Sequence, residues 1–241
     1  MTNKLDLGSS PLESLRAPMY TAAAAARLVG LGAWSVRRWL RGYRYTYTGP
    51  DAVEVEIKQG PVVRRSAFSR EGYASFVDLV DLLFVRRFLD HGLSLQKIRK
   101  ILIEAEGILG GEHFAHRTFF TVGSEVFLKD LDDDESVLHL LTGGQTAFGE
   151  IISQIGTQIE FDEVTGFAIR WFPFGPDGHI VVDPRVAFGA PSVFGRGITT
   201  ANVYDMFKGE RERTSSVVAW FGLARPEVDA VVRFERQLEV A

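Results

Sequence analysis

Residues 33–44 read AWSVRRWLRGYR and set Arg37, Arg38, Arg41 and Arg44 among Trp34, Trp39 and Tyr43. Guanidinium groups at this density suit one chemistry above others. They neutralise phosphates and so release the counterions condensed on a nucleic acid. Residues 16–65 carry nine Lys+Arg against three Asp+Glu, and residues 1–107 carry 16 against 11, although the whole chain has a formal net charge of −4. An acidic molecule with one cationic segment is suited to a directed contact with a polyanion, not to coating one indiscriminately.

Other chemistries are poorly served. The chain has no cysteine, which removes disulfides, thiol nucleophiles, thiolate metal sites and redox switching, and fits a cytoplasmic protein. His113 and His116 lack a nearby third ligand and read as surface residues. The run DDDE at 132–135 lacks the alternation of a calcium loop and reads as a solvated turn. Gly30 and Gly32 lack the third glycine and the preceding strand of a dinucleotide fingerprint. The scattered serines and histidines form no nucleophile, base and carboxylate set. The expectation is a non-enzyme with no catalytic residue, no metal and no cofactor. No apolar run approaches the roughly 18 residues that span a bilayer, so no membrane association is expected. Residues 1–18 lack the apolar core of a secretion signal and read as a flexible leader.

The cationic stretch needs elements to position it. Thr21 is a good N-cap for the helix AAAAARLV, in which Leu28 and Val29 pack inward and Gly30 ends the helix in a left-handed turn. A second helix runs from Ala33 to Gly42. Val36, Trp39 and Leu40 fall at i, i+3 and i+4 and form its buried face, so Trp34, Ser35, Arg37, Arg38 and Arg41 point largely elsewhere. Two short helices joined by a tight glycine turn make a helix-turn-helix. VEVEI then reads as a half-exposed strand, KQGP as a turn and VVRRSAF as a returning strand, with Arg64 and Arg65 at its end. SFVDLVDLLFVRRFLDHG and SLQKIRKILIEA read as two amphipathic helices, the second capped by Ser94.

On these elements, in this order, residues 19–105 resemble the winged helix-turn-helix of MerR-family regulators. The matching segments are MYTAAAAARLVG, the turn GLGA, WSVRRWLRG, the arginine-bearing ribbon and FVDLVDLLFVRRFLDHGLSLQKIRKIL. Gly32-Ala33 stands where that family often has Ser-Pro, and the ribbon is longer than usual. Trp34 and Ser35, at the start of the second helix, are the candidates for base contact, with packing against the ribbon the equal alternative for Trp34. Arg37, Arg38, Arg41, Arg64 and Arg65 are the candidates for phosphate contact.

Residues 108–178 read as a small α+β connecting layer. HRTFFTVGSEVFLKDL suggests two short strands around Gly123, and GFAIRWF suggests another. The segment is rich in aromatics (Phe119, Phe120, Phe127, Phe161, Phe167, Trp171, Phe172 and Phe174). The expectation is that they pack against a partner surface or a second copy of the chain. A small-molecule pocket among them is the alternative.

Residues 179–241 follow strand HIVV with the loop DPRVAFGAPSVFGRGI and three helices, TTANVYDMFKG, SSVVAWFG and RPEVDAVVRFERQLEV. Asp183, Pro184, Gly189, Pro191, Arg196, Gly197, Phe234 and Glu235 sit as in a family of helical antitoxin modules. A MerR-like head joined to such a tail resembles a subgroup of VapB-type antitoxins of the mycobacterial kind. The resemblance implies a PIN-domain ribonuclease toxin as partner and repression of the operon by the complex. Arg233 and Arg236 are then candidate toxin contacts, and Phe234 a core residue.

The fold expected is mainly α with an α+β middle: a leader (1–18), a MerR-like winged helix-turn-helix (19–107), a connecting or dimerisation layer (108–178) and a C-terminal trihelical, helix-turn-helix-like module (179–241). The function expected is a homodimeric antitoxin bound to operator DNA. A one-component regulator sensing a small molecule through the aromatic middle, and an adaptor without DNA binding, are the alternatives.

Overall fold

The computed structural model of the chain describes residues 11–48, 53–63, 72–109, 114–117, 119 and 145–240. Residues 11–16, expected within a flexible leader, form a short helix α1 (Pro11–Arg16). Leu15 is buried and the Arg16 guanidinium stacks 5.1 Å from the Phe167 ring centroid. Apolar burial and a cation–π contact therefore hold a stretch whose polarity suggested none.

Strand β1 (Tyr20–Thr21) leads into α2 (Ala22–Val29), which starts where the Thr21 hydroxyl accepts the Ala24 amide at 3.1 Å. Gly30 closes α2 at φ 66°, ψ 41°, the left-handed geometry that costs glycine least. The Arg86 guanidinium also donates to the Gly30 carbonyl. Two residues on, α3 (Ala33–Arg41) begins at Gly32 without a side-chain cap, and Val36, Trp39 and Leu40 are its buried face, as the spacing predicts.

The ribbon differs from expectation. Strand β2 is Tyr43–Thr48 and pairs antiparallel with β3 (Glu54–Gln59) in the register Tyr43↔Gln59 to Thr48↔Glu54. VEVEI is thus the second strand of the hairpin. Val62 and Val63 are not in a returning strand. They are buried against α3, and their amides donate to the Trp39 carbonyl at 2.8 and 3.3 Å. YRYTYT alternates as strictly as VEVEI, but its tyrosines and threonines hid the period.

Strand β4 (Tyr73–Ala74) pairs with β1 and opens α4 (Phe76–Asp90) through a capping box between Ser75 and Asp78. α4 reads as amphipathic, yet ten of its fifteen residues are buried, so it is the central pillar of the fold. Its buried Asp81 is accounted for by the Ala115 amide, which donates to it at 3.1 Å. Ser94 precedes α5 (Leu95–Leu109) and accepts the Lys97 amide at 3.3 Å. α6 (Gln145–Gly156) then leads to β5 (Ile159–Phe161), which pairs with β6 (Ala168–Trp171).

The described aromatics of the middle are consumed by the chain's own core rather than held for a partner. Phe119, Phe167, Trp171 and Phe172 are buried, and Phe84, Phe114 and Phe119 interlock at 4.3–5.3 Å between centroids. Phe161 and Phe174 pack at the edges of the apolar cores. Phe120, Phe127, His113, the run 132–135 and the strands expected around Gly123 lie outside the described residues.

Strands β7 (Ile180–Val181) and β8 (Ser192–Val193) pair, and three helices follow: α7 (Thr200–Gly209), α8 (Thr214–Phe221) and α9 (Arg225–Val240). One apolar core runs from Leu15 to Val182 around α4, and a second gathers Ile180, Val203, Phe207, Val217, Val231 and Phe234 between the last helices. Phe234 is a core residue, as expected. The architecture is helical with small two-stranded sheets and an N-terminal helix-turn-helix. Among the described residues no helix is long and apolar enough to cross a membrane, and no group of three or more His, Asp or Glu is placed to hold a metal ion.

Candidate nucleic-acid interface

The buried triad Val36, Trp39 and Leu40 fixes the rotation of α3, and the opposite side presents Trp34, Arg37 and Arg41 to solvent. Trp34 is 64% exposed. Arg37 is exposed and forms no ion pair among the described residues. Arg41 is exposed too, and its guanidinium reaches back towards Gly72, where an added Cβ would meet Nη2 at 3.1 Å. Ser35 is half-buried. Arg64 and Arg65 lie outside the described residues.

Arg38 is placed differently from an extended phosphate clamp. Its guanidinium carbon lies 4.0 Å from the Trp34 ring centroid and 3.4 Å from that of Tyr43. The planar cation stacks on both rings, which suits arginine far better than lysine. Arg38 thereby bridges the first turn of α3 and the root of the ribbon. Trp34 thus stacks on Arg38 of its own helix and is otherwise open to solvent.

Arg99 and Arg86 were missed by sequence reasoning. From α5, Arg99 donates to the Gln59 side chain and to the Gly60 carbonyl at 3.0 Å, and it lies 5.9 Å from the Tyr43 ring. Arg86 pairs with Asp90 at 2.8 Å besides capping Gly30. Both lie on later helices of the same domain, far from α3 in sequence, and nothing in their local spacing predicts where they point.

Behind this face the tail is keyed to the head. Arg27 of α2 pairs with Glu235 of α9 at 3.3 Å, and Glu235 also accepts the Thr200 hydroxyl. The Tyr20 hydroxyl donates to the Gly189 carbonyl at 2.9 Å, and burial pushes that phenol up, with Asp183 adding to the effect. Asp183 is buried, which alone would raise its pKa. Hydrogen bonds from Arg185 and Arg170 outweigh that and hold it below the usual carboxylate range. Glu227 is likewise opposed by burial and held low by the Ala224 amide and Arg196. Asp183 thus ties the DPRVAFGAPSVFGRGI loop to β6 through Arg170, and Arg196 ties it to α9 through Glu227.

The two candidate toxin contacts have intramolecular partners. Arg233 stacks 3.8 Å from the Phe174 centroid, and Arg236 pairs with Glu212 at 3.1 Å. They flank a shallow groove with Phe207 and Asp229.

Comparison with known proteins bears on these features. Residues 18–102 match the family profile described as "Putative DNA-binding HTH domain". The chain is 27% identical over 198 residues to "Putative antitoxin VapB45" of Mycobacterium tuberculosis, covering 77% of this chain and 81% of that protein. It is 35% identical over 94 residues to "Uncharacterized HTH-type transcriptional regulator Rv1830" of the same species, covering 39% of this chain and 40% of that one. The crystal structure of Rv2018 from Mycobacterium tuberculosis superposes with a TM-score of 0.67 at 21% identity, over 89% of this chain and 97% of that one, and so shares the fold. Residues 18–102 therefore carry a DNA-binding helix-turn-helix domain, in a chain homologous to an antitoxin-described protein and to HTH-type transcriptional regulators.

Proposed function

We propose that this protein is a non-enzymatic antitoxin and autoregulator. Its MerR-like winged helix-turn-helix, residues 19–107, binds operator DNA as a homodimer. Residues 108–178 connect, and residues 179–241 form the antitoxin module that holds a PIN-domain ribonuclease toxin inactive. Both partners imply a cytoplasmic protein. The observation that carries the reading is the solvent face of α3, where exposed Arg37 has no ion-pair partner among the described residues and Trp34 stands open beside it. Side chains at the start of such a helix reach base edges, and cations along it meet phosphates. Trp34 and Ser35 take the first role. Arg37, Arg38 and Arg41 take the second, together with Arg64 and Arg65. Homology to the VapB45 protein over most of its length supports the toxin-directed half. Arg233 and Arg236 remain the proposed toxin contacts, because both border an open groove.

The test is co-expression with the neighbouring gene product, followed by a mobility shift on the upstream DNA. A stable complex that retards this DNA is expected. Failure to bind any neighbouring product, with DNA binding intact, removes the antitoxin half.

A second reading, a regulator that senses a small molecule, is favoured by one observation. A cavity of about 360 Å³ lies between α2 and the tail, lined by Met19, Leu28, Phe188, Pro191 and Leu238. It touches both head and tail, unlike the aromatic middle, whose described residues are filled by the protein's own core.

A further inference from the structure

Strand β2 reads YRYTYT, and alternation sends Tyr43, Tyr45 and Tyr47 to one face of the ribbon and Arg44, Thr46 and Thr48 to the other. The register sets Gln59, Ile57 and Val55 across from the tyrosines, and Lys58, Glu56 and Glu54 across from the rest. One face is therefore aromatic and aliphatic without formal charge, and both glutamates lie on the opposite face. A strand of this pattern ordinarily buries its apolar side. Here Tyr45, Tyr47 and Val55 stay 42%, 47% and 37% exposed. A two-stranded ribbon is marginal in water without further packing, so a face of this composition calls for an occupant.

The face continues the cationic end of α3. Arg38 lies on both Trp34 and Tyr43, and the Tyr43 and Tyr45 rings stack at 5.9 Å with 28° between their planes. Along a strand such rings recur about every 6–7 Å. In a duplex the bases of each strand are about 3.4 Å apart and already stacked on one another. The tyrosine repeat is about twice that spacing and matches a strand whose bases are separated, with their faces free. An uncharged aromatic ladder beside arginines, with the carboxylates turned away, is the composition that holds unpaired strands.

We infer that the tyrosine face of the ribbon is a binding site for single-stranded nucleic acid. Tyr45 and Tyr47 stack on unpaired bases, beside Tyr43, whose ring lies under Arg38 and 5.9 Å from the Arg99 guanidinium. This rests on the reading of the head as a nucleic-acid-binding unit, but it uses side chains outside the proposed duplex contacts. The test is fluorescence anisotropy of the full chain with a labelled single strand of about 12 nucleotides, as DNA and as RNA, and with the same DNA sequence as a duplex. Replacing both outer tyrosines (Tyr45→Ala with Tyr47→Ala) is expected to weaken single-strand binding about tenfold or more. Duplex binding by α3 stays within about twofold. The pair Tyr45→Phe with Tyr47→Phe retains single-strand affinity, because the ring faces and not the hydroxyls make the contact. Binding of either strand chemistry supports the site, and the tighter one names its source. Absence of single-strand binding by the native chain, an alanine pair that binds as tightly as the native chain, or a phenylalanine pair as weak as the alanine pair overturns it. So does loss of a dimer in sedimentation on alanine replacement, which would make the face a seat for a second copy. Duplex binding that fails while single-strand binding persists removes the operator reading alone.

Discussion

Arg27 on the first helix of the helix-turn-helix and Glu235 on the last helix of the chain are 208 residues apart in sequence and 3.3 Å apart in space. Glu235 is only 5% exposed, whereas the Arg27 side chain is about half exposed. The pair is therefore unequal: one charge has left water and the other has not. Removing Arg27 leaves a buried carboxylate that, among the described residues, accepts from the Thr200 hydroxyl. Arg27→Ala should cost about 1 kcal/mol, held down by the exposure of the guanidinium. In urea unfolding, Glu235→Gln should largely suppress that cost in a double-mutant cycle. Additive effects of the two changes would show that the contact does not couple head to tail.

Arg37 and Arg38 should respond differently to lysine. Arg37 contributes charge, so Arg37→Ala should weaken all duplex binding and lower the salt slope by about one, while Arg37→Lys keeps most of both. Arg38 contributes a planar surface between Trp34 and Tyr43. Arg38→Lys keeps the charge but not the stacking, so it should retain clearly less of the affinity than Arg37→Lys does. Salt titrations of the four variants on one duplex decide the matter, and equal rescue by lysine at both positions would contradict the stacking role.

Gly42 joins α3 to the ribbon at φ 75°, where a Cβ would collide with the Gln59 carbonyl and press on Gly60 and Pro61. Gly42→Ala combines a left-handed backbone penalty with that clash and should destabilise by about 2 kcal/mol or more. Thermal unfolding measures the loss. A fall of only a few tenths would mean that the ribbon root shifts freely.

Gly32 presents the opposite case. It caps α3 at an ordinary φ of −68° without a side-chain hydrogen bond, and the nearest atom to an added Cβ is the Ser35 hydroxyl at 3.8 Å. Gly32→Ser supplies the missing acceptor and should stabilise by roughly 0.5 kcal/mol. A lowered melting temperature would show that the turn needs glycine for another reason.

The Asp183 carboxyl is held below its ordinary value despite burial, because Arg185 and Arg170 donate to it. Its contribution to stability is complete above the unfolded pKa of about 3.9 and fades as pH falls through the lower folded value. Asp183→Asn should therefore narrow the stability difference between neutral and strongly acid solution, as read by chemical unfolding at both. An unchanged difference would place the acid sensitivity in other carboxylates.

The local punctuation of the head was legible in the sequence. Thr21, Gly30, Ser94 and the Val36, Trp39, Leu40 triad each act over one or two turns of helix, and each sits as its chemistry requires. The ribbon was legible in existence but not in pairing, because two adjacent segments alternate equally well and only the contact with Trp39 decides that Val62 and Val63 turn inward. The solvent side of α3 was half legible. The spacing put Arg37 and Arg38 on the open side of α3, but it could not show that Arg38 lies down between two rings.

Periodicity and capping are properties of neighbouring residues, so the sequence by itself determined the helix-turn-helix, its buried stripe and the cationic character of its other side. Tertiary structure alone decided that α4 is buried on nearly every side, that the described aromatics of the middle fill the chain's own core, and that the tail closes on α2 through Glu235. Those outcomes depend on which surfaces meet after long loops close. That choice is made by apolar area and charge pairing summed over the whole molecule, and no short window of residues contains it.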